Sequence, residues 1–246
     1  MYDNSFFNSI SGGSTRSAQR LLPLVLKALP VRSVVDIGCG RGAWLAEFGR
    51  LGIGDFLGVD GDYVSTETLA IPPASFVPRD ITQRFELGRQ FDLAVCLEVG
   101  EHVPHPTSAT LVANLTAHAP MVLFSAAVPG QGGQDHINEM PLEFWRGLFK
   151  ARGYRALDAF RRQIQGARDV EPWYRNNVLL YVRGDVIRTL PGAVQAAAIP
   201  DGKPIADLSS PLFRLRKLVL RTLPRPVVSA MARTKHTVRS ALRSAN

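Results

Sequence analysis

Val34-Val35-Asp36-Ile37-Gly38-Cys39-Gly40-Arg41-Gly42 is the stretch that decides how this chain folds. A β-branched apolar run ends at an acid and breaks into three glycines at alternate positions. The helical pattern Ala43-Trp44-Leu45-Ala46-Glu47-Phe48 follows at once. Glycines suit a sharp turn whose backbone must lie against a ligand with no Cβ in the way. A helix behind such a turn points its N-terminal N–H groups and positive dipole end at that ligand. The motif has two readings. It can be taken as D-x-G-x-G-x-G, a three-glycine turn opened by an acid; through Gly38, Gly40 and Ala43 it also satisfies the dinucleotide pattern G-x-G-x-x-G/A. Asp60, in Gly58-Val59-Asp60-Gly61, lies where either would place an acid for ribose hydroxyls.

Working outward, strand and helix patterns alternate. Strands are expected at 33–37, 55–60, 75–79, 91–97 and 120–126, and helices at 42–51, about 101–118 and 141–151. A helix is expected to start near Ser14 or Ser17 and end at Pro30. This rhythm predicts an α/β fold: a mostly parallel sheet wrapped on both faces by helices. Near the end the rhythm changes. Tyr154–Gln163 and Val178–Val182 read as two strands without a convincing helix between them, so an antiparallel pair is expected. A dinucleotide-binding enzyme would need a second βαβ half that the remaining residues do not supply.

The D-x-G-x-G-x-G run, together with that reversed strand, resembles the class I S-adenosylmethionine (SAM)-dependent methyltransferases. The resemblance implies a Rossmann-like, seven-stranded sheet with a reversed terminal strand. It also implies roles: Asp36 orders the loop and the methionine end of SAM, Gly38, Cys39 and Gly40 form the close approach, and Asp60 with Gly61 meets the ribose. Asp80 and Ile81, after the third strand, match the position of an acid that accepts from the adenine amino group; Asp80 is equally suited to a turn or helix cap. Acids suit SAM, whose ammonium and sulfonium are cations.

A second run, Leu97-Glu98-Val99-Gly100-Glu101-His102-Val103, falls at the end of the fourth expected strand, the side where open α/β sheets bind ligands. It resembles the L-E-V-x-E-H-V run of small-molecule methyltransferases, which adds Glu98 to the cofactor residues. A helix from Glu98 would bring Glu98, Glu101 and His102 onto one face. A third run, Phe124 to Glu139, leaves the fifth strand through Pro129-Gly130-Gln131-Gly132-Gly133, with His136, Asn138 and Glu139 as polar tips. This series looks like methyltransferases of surface-glycan and secondary-metabolite gene sets. Methyl transfer to an alcohol needs in-line alignment and a base, for which His102 or His136, assisted by Glu101, is the candidate. Glu98, Glu101, His102 and His136 also form a set suited to a divalent cation, resembling the metal-using small-RNA 3′-terminal 2′-O-methyltransferases. Trp173 and Tyr174 suit stacking on a sugar ring, with Asn177 hydrogen-bonding to it, but an aromatic cluster covering the core is the stronger reading.

Charge divides the chain. Residues 211–246 hold nine Lys/Arg and no Asp/Glu, whereas the preceding 210 hold 20 basic and 21 acidic residues. The pI near 10 therefore belongs to the tail, and the body gives no reason to expect nucleic acid. In the tail, Leu212, Leu215, Val219 and Leu223 lie opposite Arg214, Lys217 and Arg221, a basic amphipathic pattern that suits an anionic membrane surface as well as a solvated tail. Residues 1–13 are expected to be flexible, 14–184 to form the domain, 185–210 a linker and 211–246 a basic extension. Two cysteines, no signal-like start and no long apolar run point to a cytoplasmic protein, at most at a membrane surface. The function expected is methyl transfer from SAM to a small-molecule acceptor such as a sugar hydroxyl. Nucleic-acid ribose 2′-O-methylation and SAM binding without turnover are the alternatives.

Overall fold

The computed structural model describes residues 4–224 and 227–232. Strands β1 (Ser33–Ile37), β2 (Asp55–Asp60), β3 (Phe76–Pro78), β4 (Leu93–Leu97), β5 (Met121–Ser125), β6 (Tyr154–Leu157) and β7 (Leu179–Arg183) form one sheet in the order β3-β2-β1-β4-β5-β7-β6. The first five run parallel, and β7 lies antiparallel to both β5 and β6. The mostly parallel α/β sheet with a reversed strand is thus present. Successive strand residues leave on opposite faces, as a period of two requires. Val34, Leu93, Val95 and Leu97 enter one core; Val35, Ala94 and Cys96 enter the other. Helices α1 (Asn4–Ala28) and α2 (Ala43–Arg50) cover the first, through Leu21, Leu22 and Val25 and through Trp44, Leu45 and Phe48. Helices α3 (Ser108–His118) and α4 (Leu142–Lys150) cover the second, through Leu111, Val112, Leu115, Trp145 and Phe149.

The structure differs from the sequence reading at several places. Helix α1 begins at Asn4 rather than near Ser14, so residues 4–13 continue a helix; Met1–Asp3 lie outside the described residues. Gly13, the last residue of the segment expected to be flexible, is a packing site: a Cβ there would stand 2.7 Å from Glu171 Oε1. Helix α3 starts at Ser108, not near residue 101, because Pro104 and Pro106 hold the chain in a turn before it. The segment read as one strand to Gln163 ends at Leu157, and two short helices, α5 (Arg161–Ile164) and α6 (Pro172–Asn177), connect β6 to β7. Finally, residues 185–210 are no free linker. Helix α7 (Gly192–Gln195) lies within them, Ile187, Leu190 and Val194 are buried, and Leu157 pairs with Ala198. Pro, Ala and Gly composition hides three apolar side chains spaced to meet the core. The basic segment continues as α8 (Pro211–Arg221), docked on the body; residues 233–246 lie outside the described residues.

Candidate active site

Parallel pairing brings Ile37, Asp60, Leu97 and Ser125 together at the carboxyl ends of the strands, where all the loops of interest emerge. After Ile37 the chain turns through Gly38 (φ 86°) and Gly42 (φ 80°), both left-handed. The Gly38 amide donates to Val59 O at 2.8 Å. A Cβ on Gly38 would meet the Val99 methyls at 2.5 and 2.7 Å, so its missing side chain makes room for the protein itself as well as for any ligand. Asp60 braces the turn from β2: Oδ2 accepts from the Gly40 amide at 2.7 Å, and Oδ1 accepts from the Gly61 amide at 2.7 Å and from the Tyr63 hydroxyl. Burial raises the Asp60 pKa, and those three donors pull against it. Burial, and then Asp60, pushes Asp36 well above the usual carboxylate range, and its Oδ2 finds no hydrogen-bond partner. Cys39 is buried with its thiol pKa raised by burial and by Asp60 and Asp36, which keeps it un-ionised. Asp80 is exposed and caps a turn, its Oδ1 accepting from Thr82 N and Oγ1, while the Ile81 carbonyl is held by Asn114.

The second run is a turn rather than a helix, because Glu98 adopts φ 57° and Pro104 follows. Its left-handed backbone directs Glu98 inward, where Oε2 accepts from Gln131 Nε2 at 2.8 Å and Oε1 has no partner. Glu101 is 1% exposed and neither carboxyl oxygen has a partner. Burial, and then the Glu98 carboxyl, drives its pKa well above the ordinary value; burial likewise raises Glu98. His102 is lowered to about 3 by burial and by neighbouring His136, so it stays neutral.

The glycine-rich loop packs against these acids, Gln131 on Glu98 and His136 facing Glu101. His136 Nδ1 sits 2.8 Å from Glu139 Oε1, and its Nε2 faces Glu101 Oε1 at 4.0 Å. The His102 and His136 rings stand edge to face, centroids 4.9 Å apart. Burial would raise Glu139, but His136 and the Gly130 and Gly132 amides, at 2.8 and 2.7 Å, hold it below its usual value. Glu139 is therefore an ionised acceptor that fixes both the loop and the imidazole. Glu101, His102 and His136 offer ligand atoms that all lie within 4.8 Å of one another; Glu98, also expected in that set, is not part of this cluster. Asn138 is not a polar tip: it is buried and donates to Gly100 O and Ser108 Oγ, tying the loop to the Glu101 turn. Tyr174 belongs to the core, its ring 5.1 Å from Trp44, as the aromatic-cluster reading requires.

Gln131 is the residue that sequence reasoning passed over. Besides holding Glu98, its Oε1 accepts from Asn177 Nδ2 at 2.8 Å and its carbonyl accepts from Arg216 at 2.7 Å. It joins α6, the Glu98 turn and α8. The only sequence sign was a lone amide between two glycines.

With this geometry in view, the comparisons are informative. A family model described as a methyltransferase domain matches residues 13–151, more than half of the chain. The chain belongs to this methyltransferase family. Its members of the class I type use SAM, so the donor expected from the glycine turn stands, and the buried acids at the ends of β1 and β4 are chemically suited to it. Three solved structures share the fold. The sugar N-methyltransferase KedS8 from Streptoalloteichus sp ATCC 53650 is 18% identical, with TM-score 0.55, over 72% of this chain and 91% of that one. DesVI from Streptomyces venezuelae is 15% identical, with TM-score 0.55, over 72% and 95%. An O-methyltransferase family protein from Burkholderia thailandensis is 12% identical, with TM-score 0.54, over 73% and 58%. Among proteins of curated function, none matches the sequence significantly. No helix among the described residues is long and apolar enough to cross a membrane.

Proposed function

We propose that this methyltransferase moves the SAM methyl group to a hydroxyl of a small-molecule acceptor, a sugar or glycan-linked metabolite, with His136 as the base. The observation that carries the reading is the Glu139–His136 pair, with His136 Nε2 facing the buried Glu101. With Nδ1–H donated to Glu139, His136 presents Nε2 as an acceptor on the side of Glu101. An acceptor hydroxyl placed there loses its proton to Nε2 as its oxygen attacks the methyl carbon. The methyl–sulfur bond breaks, sulfur keeps the electron pair, and S-adenosylhomocysteine leaves. Alignment of oxygen, carbon and sulfur is the protein's larger contribution. Asp36, Glu98 and Glu101 carry four buried carboxylate oxygens without partners, which SAM's ammonium and sulfonium would offset. Asp60 and Gly61 are proposed at the ribose, and Asp80 with Ile81 at the adenine end. KedS8 is described as a sugar N-methyltransferase, which supports a sugar acceptor here and makes an amine the rival atom.

A divalent cation is the second reading, favoured by the Glu101, His102 and His136 cluster. Two imidazoles and a carboxylate with both oxygens unpartnered fit such an ion, which would lower the pKa of an acceptor hydroxyl. The electrically balanced body speaks against nucleic-acid ribose. The test is incubation with SAM and panels of sugars, amino sugars and ribonucleosides, with and without chelator, read by mass spectrometry of both products. S-adenosylhomocysteine and a methylated sugar are expected. SAM binding without turnover on any acceptor would make this a binding module, and loss of turnover with chelator would assign the metal.

A further inference from the structure

Helix α8 is mounted the wrong way round for a surface helix. Its polar side faces the protein. Lys217 is buried and donates to Asp207 Oδ2 at 2.9 Å and Ser209 Oγ at 3.1 Å; Arg216 donates to Gln131 O and Arg221 to Pro129 O. The contact is close, for a Cβ on Gly130 would run into the Lys217 carbonyl. Of the helix's large apolar residues, only Leu220 is fully buried. Leu212, Leu215, Leu218 and Val219 point away from the body, each between 52% and 77% exposed, and Val227 and Met231 are exposed beyond them. At about 100° per residue these four fill an arc of roughly 120°. Arg216 borders that arc on one side, and Arg214 and Arg221 border it on the other. Ordinary surface helices put the apolar arc inward.

We infer that this outward face of α8 seats the protein on an anionic lipid bilayer. Charge selects the occupant. Residues 211–246 carry nine Lys/Arg and no acid, so a second copy would bring a segment of the same positive charge. Anionic headgroups complement that charge, and the four apolar side chains are of a size to enter the acyl boundary. The bordering arginines are tied to the body, Arg214 to Asp207 O, Arg216 to Gln131 O and Arg221 to Pro129 O, so they hold their charge at the rim of the face, close to where headgroups would lie. Because α8 also holds Pro129–Gly132, seating places the loop that carries His136 beside the headgroups.

The experiment is flotation of the intact chain with vesicles of phosphatidylcholine alone or mixed with phosphatidylglycerol. Recovery on the anionic vesicles about tenfold or more above the neutral ones is expected. Joint substitution Leu215→Glu and Leu218→Glu should abolish it, with far-ultraviolet circular dichroism unchanged since both side chains are exposed. Joint substitution Leu215→Lys and Leu218→Lys adds positive charge while removing apolar area, and should still lower recovery several-fold. Equal recovery on both vesicle types overturns the proposal, as does wild-type recovery of the lysine variant. A dimer in lipid-free sedimentation that the glutamate variant disperses would give the face to a second copy instead.

Discussion

Replacing Gly38 by alanine asks what the glycine turn is kept open for. At φ 86° an alanine pays about 1–2 kcal/mol for the left-handed backbone. Its Cβ would also stand 2.5 Å from one Val99 methyl and 2.7 Å from the other. Both must retreat by about 1 Å to reach ordinary contact, an overpacking cost of about 1–3 kcal/mol. The sum, roughly 2–5 kcal/mol, corresponds to a loss of about 4–20 °C in Tm for a chain of this size. Val99→Ala alone should cost about 1.6 kcal/mol for two methyls. In the double variant the two methyls are gone and the Val99 Cβ, at 3.1 Å, is the nearest remaining atom, so most of the clash is relieved and chiefly the backbone cost remains. The cycle should therefore show about 1–3 kcal/mol of favourable coupling. Urea unfolding of the four proteins without ligand measures it, and calorimetry with SAM on the same samples reads the site. Additive effects would refute the reasoning, since they would mean that Val99 does not fill the room beneath the turn. Restored stability with SAM binding still lost would show that ligand approach imposes its own demand for glycine.

Asp36→Asn should weaken SAM binding by about 10–150-fold, the worth of one hydrogen bond to a charged group, in calorimetry. Without ligand the same variant should be no less stable at neutral pH. The native carboxyl has a raised pKa, so native protein holds a proton that unfolded protein releases. Wild-type stability should accordingly fall as pH climbs from about 4 through the raised native value, and the asparagine variant should flatten that slope in urea titrations. Glu139→Gln should act with the opposite sign. Its depressed pKa gives stability that is full above pH ~4.3 and lost as pH falls through the native value. The wild-type advantage, about 1.5–3 kcal/mol for charge-assisted bonds, should therefore shrink in acid unfolding experiments. His136→Asn should lower kcat about 10²–10⁴-fold on the acceptor found while SAM affinity stays within about twofold in calorimetry.

The sheet was legible because its signals are local. Val34 and Val35 alternate between two cores, and Gly38 and Gly42 stand where the backbone must turn left-handed. The reversed β7 could be read because no helix-length pattern separates it from β6, although two short helices do. The acids and histidines of the site were legible as residue types at strand ends. Their states were not. His102 is neutral because of what surrounds it, and Asn138 turns inward because Gly100 and Ser108 await its amide. Gln131 has three partners from three distant segments, none of which leaves a trace beside it in the chain. For α8 the periodicity separates two faces but does not say which one meets the body. Asp207, Ser209 and the carbonyls of Pro129 and Gln131 decide that.

The placement of β7 between β5 and β6 has a consequence for how the chain is made. Met121–Ser125 is buried along its whole length, and its second flank is covered only by Leu179–Val182. β6 leaves the ribosome before β7 yet touches the sheet only through it. Until β7 inserts, the nascent protein therefore displays an apolar edge strand and a detached neighbour, both open to wrong partners. A fragment cut at residue 151, where the family likeness ends, would keep that exposed edge permanently. It should accumulate as aggregate rather than as a smaller enzyme.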